Sequence, residues 1–205
     1  MRKCYILIAA ATGLAALVTG VAAEAQTGST ARIRGTIEAA GAHAMTVKTR
    51  AGETLEIVLN DPLTVLTVKK VEVTSIAAGS YVGIATRTGA DGKQQAIEVL
   101  VFPEAMRGAG EGSFPWGLEP GSTMTNGTVS GAVKAASATE MTVAYKTGSQ
   151  TIQVAPGAPI VTFAPAEAAD VKPGAPVFLT ASKGADGALS AGRVVVGKDG
   201  VAPPM

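Results

Sequence analysis

Apolar and polar residues alternate with a period of two along most of this chain. Ile33, Gly35 and Ile37 alternate with Arg32, Arg34 and Thr36. Met45 and Val47 alternate with Thr46 and Lys48, and Leu55, Ile57 and Leu59 follow with Glu56 between two of them. A second series does the same: Val129, Gly131 and Val133, then Met141, Val143 and Tyr145, then Ile152 and Val154. A period of two predicts strands with one buried face. Asp91-Gly92 and Asp186-Gly187 are turn-formers, because glycine accepts a positive φ without steric cost, and each predicts a hairpin. Gly35 and Gly131, inside strands, predict a bulge or sharp bend. No long helical periodicity appears after the N-terminus, although 73–78 and 164–171 each admit a turn or two of helix.

The two series are copies. At an offset of 96, Gly35 meets Gly131, Ala39, Ala40 and Ala42 meet Ala135, Ala136 and Ala138, and Met45-Thr46-Val47 meets Met141-Thr142-Val143. At an offset of 95, Gly79 meets Gly174, and Gly89-Ala90-Asp91-Gly92 meets Gly184-Ala185-Asp186-Gly187. A pattern repeated in register predicts one small unit built twice. About six short strands in roughly 70 residues match a small closed barrel, with the OB-fold as nearest template. The expectation is all-β: two tandem small OB-like β-barrels, at 31–102 and 127–197, behind a signal peptide at 1–25. An aromatic, Gly- and Pro-rich linker at 103–126 and a tail at 198–205 complete the chain.

The N-terminus reads as a secretory signal. Arg2 and Lys3 form the positive region, 5–21 is apolar, and Ala23-Glu24-Ala25 fits a small-x-small cleavage site. The alternative is an uncleaved membrane anchor. Cleavage predicts a periplasmic protein with no stable membrane insertion, and it removes Cys4, the only cysteine. The mature chain then has no disulfide and no thiolate chemistry, and it is held together by its core. Removing Arg2, Lys3 and Glu24 from 17 basic and 16 acidic residues leaves fifteen of each. With no basic excess, nucleic acid is not an expected partner. Lys69-Lys70 reads as a solvated strand end.

Candidate chemistry is sparse, and neither a catalytic residue nor a cofactor is expected. His43, the only histidine, falls in a turn, and no Gly-x-Ser-x-Gly elbow marks a nucleophile. The glycines of 108–112 lack the lysine and helix of a phosphate loop and read as a flexible link. Thioethers suit Cu(I), but Met45 and Met141 occupy equivalent strand positions and read as core. Met106, Met124 and Met205 have no ligand spacing, so no metal site is expected. Asn126-Gly127-Thr128 matches a glycosylation triplet and reads more simply as a turn. The linker holds the only tryptophan, Trp116, with Phe114 beside it, and a plain spacer would carry no such groups. They either pack between the barrels or, with Arg107, form an aromatic anchor for a partner.

The segments 102–108 and 120–126 and the tail 201–205 resemble a family of exported proteobacterial proteins of rhizobial type. That family has tandem small β-barrel domains of unknown function. The resemblance covers essentially the whole chain and implies the barrel fold and export. Some members are labelled metal transporter permeases, yet a permease needs several apolar spans and this chain has one. The resulting expectation is a periplasmic, non-enzymatic binding or adaptor protein with Phe114, Trp116 and Arg107 as its partner-binding residues. The alternatives are a small-ligand or metal carrier associated with a transporter, and a hydrolase using carboxylates. Oligomeric state is not implied by the residues.

Overall fold

The alternating segments do become strands. The computed structural model describes residues 29–134 and 139–203. The expected signal peptide, with Cys4, lies outside these, as do Ala135, Ala136, Ala138 and Met205. The described chain is all-β, with twelve strands and no α-helix. In the first half these are β1 (Ser29–Ala40), β2 (Ala44–Thr49), β3 (Thr54–Lys70), β4 (Tyr81–Thr88), β5 (Gln94–Val101) and β6 (Gly112–Pro115). In the second they are β7 (Thr123–Lys134), β8 (Thr139–Tyr145), β9 (Gly148–Val154), β10 (Ile160–Pro165), β11 (Pro176–Lys183) and β12 (Leu189–Val196). Short 3-10 turns at Val73–Ser75 and Ala168–Asp170 occupy the stretches where a little helix is expected.

Strand pairing closes a five-stranded barrel. β1 lies between β2 and β11, β2 pairs with β3, β3 runs parallel to β12, and β12 returns to β11. A second circuit runs β7, β8, β9, β5, β4 and back to β7. Neither circuit is contiguous in sequence. The hairpin β4–β5 follows β1–β3 along the chain but pairs with β7–β9. The hairpin β11–β12 follows β7–β9 and pairs with β1–β3. Neither 31–102 nor 127–197 closes a ring from its own strands. The crossing is carried by β3, whose 17 residues outrun the first ring. Its end, Leu66 to Lys70, pairs antiparallel with β10, and β10 lies parallel to β5 of the second ring.

Each ring has its own core. Met45, Val47 and Ile57 pack with Val177, Leu179 and Val194 in the first. Met141, Val143 and Ile152 pack with Val82, Ile84 and Val99 in the second. Met45 and Met141 are therefore core residues, as expected. Both Asp-Gly turns form, with Gly92 and Gly187 at φ 76 and 84.

The strand registers revise one equivalence. Gly35 matches Gly127, not Gly131. A Cβ on Gly35 would collide with the carbonyl oxygen of Lys48, and one on Gly127 with that of Ala144. At Gly131 nothing lies within 4 Å of that position. Ile37 opposite Val47 then corresponds to Val129 opposite Val143, and the β1–β2 and β7–β8 bulges follow at Ile37/Ala39 and Val129/Gly131. The alanine-rich stretches of the two copies align four residues away from this structural register. Asn126-Gly127 is likewise no turn. It lies within β7, and Asn126 is buried, with its amide donating to the carbonyls of Ala109 and Gly110.

Candidate functional site

The outer faces of the two rings meet, and the junction is apolar. Val68, Leu100, Trp116, Met124, Val161, Phe178 and Val195 form a third cluster there. The connector supplies part of it. Where a flexible link is expected, 107–110 turns and β6 then pairs antiparallel with β7, with Phe114 opposite Met124. The Trp116 amide continues the pairing by donating to the Ser122 carbonyl at 2.9 Å. Backbone pairing thus fixes where both aromatic side chains lie.

Trp116 is only 9% exposed, while Phe114 is half-buried. The indole centroid lies 6.0 Å from the Phe114 ring and 6.0 Å from Phe178. On the other side, Phe102 sits 5.3 Å from Tyr81 and 5.9 Å from Phe163. Such tilted and edge contacts are the favoured aromatic geometries. Between these two groups runs an open cleft of about 670 Å³. All four phenylalanines and the only tryptophan line it.

The charge in the cleft is of one sign. Among the described residues, Arg32 and Arg193 line it, and no carboxylate or histidine does. Arg32 stacks over Trp116 at 4.5 Å and Phe114 at 5.4 Å, and donates to the Pro115 carbonyl at 3.2 Å. Arg34 stacks on Trp116 and Phe178 from the ring beneath, at 4.9 and 5.3 Å. Burial, with Arg50 and Arg32 nearby, lowers the Arg34 pKa to about 10. A guanidinium held against aromatic faces is a favourable cation–π arrangement.

Polar groups at this junction are left without partners. Among the described residues, the buried unpartnered side-chain atoms are Arg34 Nε, Glu98 Oε1, Trp116 Nε1 and Asn126 Oδ1. Such atoms are rare in folded proteins and call for a reason. Glu98 projects from β5 on the same face as Leu100, and burial pushes its carboxyl up to about 8 against a smaller opposing effect of Arg50.

The three sequence-expected site residues separate. Phe114 and Trp116 come together, but Trp116 is sunk in the junction and is no exposed anchor. Arg107 does not join them. It pairs with Glu104, donates to the Gly79 carbonyl at 2.9 Å and faces Tyr81. The arginines against the linker aromatics are Arg32 and Arg34 of β1. In sequence these read as the ordinary solvated face of a strand. Only the burial of an aromatic partner distinguishes them, and that partner, Trp116, lies 82 residues from Arg34.

His43 is exposed in the β1–β2 turn, as expected. No group of three or more metal-type ligands gathers among the described residues, and no described helix is long and apolar enough to cross a membrane. A second hollow of about 440 Å³, lined by 70–73 and 154–160 with Thr139, has no aromatic side chain in its wall. Compared with family models, curated proteins and solved structures, the chain matches none.

Proposed function

We propose that this chain is an exported, non-enzymatic binding protein that holds a small ligand in the aromatic cleft. Its frame would be a duplicated OB-like barrel motif that has exchanged strands between copies, and its compartment the periplasm. The observation that carries the reading is the convergence of every phenylalanine and the only tryptophan on one cleft. Two come from the connector, one from each of β10 and β11, and one from just after β5. A chain with 4% aromatics has little reason to spend them together on packing alone. The cleft's volume falls within the usual range for small-molecule sites, roughly 300–1,000 Å³, and apolar walls with a few polar groups are their usual composition. The depth of Trp116 favours a ligand that enters over a partner that docks on a protruding linker. Hydrolysis would find no acid or base in the described lining.

Trp116, as the only tryptophan, reports directly on occupancy. N-phenyl-1-naphthylamine, a neutral aromatic probe, should quench its emission saturably at one probe per chain. Phe163→Ala, on the opposite wall, should weaken that binding about tenfold. A folded protein in which the neutral probe leaves Trp116 emission unchanged would rule out the cleft as a small-ligand site.

A further inference from the structure

We infer that the ligand is an amphipathic anion: an apolar body carrying one terminal oxyanion, bound with that oxyanion on Arg32 and Arg193. This rests on the cleft being the binding site. The polarity of the cleft is graded. Phe102, Phe163 and Met106 line it, with the Phe102 and Phe163 rings in edge contact, and they offer the place for the body. The other end is the outer face of the first ring. There Arg32 stands opposite Thr180 across β1 and β11, and Arg193 opposite Thr64 across β12 and β3. These two guanidiniums and two hydroxyls form a patch of donors over neighbouring strands, and all four residues are exposed.

Two further observations point the same way. Neither Arg32 nor Arg193 is in an ion pair among the described residues, so no described carboxylate competes for either guanidinium. A guanidinium fork matches an oxyanion in geometry, and hydrogen bonds of that kind are the stronger ones. Trp116 lines the cleft and is nine-tenths buried, yet its indole N–H has no acceptor. An oxygen on the ligand would satisfy the indole. A cationic ligand would face two arginines and no carboxylate, so the site discriminates by repulsion as well as attraction.

The test compares two probes on the full-length protein, both read by Trp116 quenching. 1-Anilinonaphthalene-8-sulfonate and N-phenyl-1-naphthylamine share a ring system and differ by the sulfonate. The anionic probe should bind at least about tenfold more tightly, and its advantage should shrink with added salt. Arg193→Gln should remove most of that advantage and leave the neutral probe within about twofold. Among the described residues, the arginines stacked on aromatic rings are Arg32, Arg34 and Arg107, so this variant leaves their packing intact. Arg32→Gln with Arg193→Gln should abolish the preference. If both probes bind equally, or if the preference survives the double substitution, the anionic assignment is overturned while the cleft remains a binding site. If neither probe reaches Trp116, the site itself fails.

Discussion

The two rings share a frame and differ on their outer faces. Inside, they correspond position by position: Met45 with Met141, Val47 with Val143, Ile57 with Ile152, and Gly35 with Gly127. Outside, the first strand of one ring carries Arg32 and Arg34 where the first strand of the other carries Met124 and Asn126. Beside Arg34 stands Phe178, and beside Asn126 stands Gly83. The first ring therefore offers charge and an aromatic plane where the second offers an amide and the Phe102 ring packed over a glycine, and the cleft lies where these unlike faces meet. Closure differs too. β3 and β12 share seven residue pairs, whereas β5 and β9 share only two, with β10 pairing with Val99 to Val101 of β5. The matching positions form the cores of the rings, and the aromatic cleft lies where the match breaks down.

Substitutions at matched positions should produce the largest effects. Gly35→Val and Gly127→Val should each cost about 4 kcal/mol in urea unfolding, because the new side chain meets the backbone of the neighbouring strand, which cannot yield. Gly131→Ala should change stability by less than about 1 kcal/mol, since that space is open. The reverse order would restore the pairing of Gly35 with Gly131 and undo the correspondence of the rings. Trp116→Ala should cost about 3 kcal/mol and Phe114→Ala about half of that, in keeping with their burial at the junction. Equal, negligible costs would mean that the linker aromatics do not bind the rings together.

Glu98 gives the junction a pH dependence that neither core should have. Its carboxyl is raised from 4.5 to about 8 in the folded protein, mainly by burial. The folded state therefore holds this proton more tightly than the unfolded chain. Its contribution is fully present below pH 4.5 and is lost as pH rises through about 8. Glu98→Gln should remove that decline and leave the variant more stable than the parent above pH 8, by on the order of 2 kcal/mol. Parallel stability curves for the two proteins between pH 4.5 and 8 would count against a buried Glu98. The smallest effect belongs to Arg107→Ala, which should leave both probe affinities unchanged, because its guanidinium is occupied by Glu104 and Gly79 outside the cleft. A tenfold loss there would return Arg107 to the site.

The strands were legible because each alternates locally. Ile33 and Ile37, Met45 and Val47, and Val82 and Ile84 announce a buried face without reference to any partner. The Asp-Gly hairpins were legible for the same reason. The exchange of strands was not, because β4–β5 and β11–β12 carry nearly the same alternation and turn. Nothing local says which of two similar open barrels each hairpin will close. β6 was missed because Gly112, Ser113, Phe114 and Pro115 lack alternation and owe their strand to pairing with β7. At the site, Phe114 and Trp116 stood out as large apolar groups in a connector. Phe102, Phe163, Phe178, Arg32 and Arg193 sat inside the repeated pattern, and only the crossing of the chain brings them to one cleft.

That crossing can be tested directly by crosslinking, since Cys4 is the only cysteine and can be replaced by serine. Ser29 of β1 lies opposite Lys183 of β11. Thr88 holds the place in the β4–β5 hairpin that Lys183 holds in β11–β12. Two chains should be compared, one with Ser29→Cys and Lys183→Cys, the other with Ser29→Cys and Thr88→Cys. Directly opposed residues on antiparallel strands have Cα atoms about 4.5–5.5 Å apart, within reach of a disulfide. With exchanged strands, the first chain should form an intramolecular disulfide under mild oxidation and the second should not. A disulfide in the second chain alone would mean that each copy closes its own barrel, and the cleft described here would not exist.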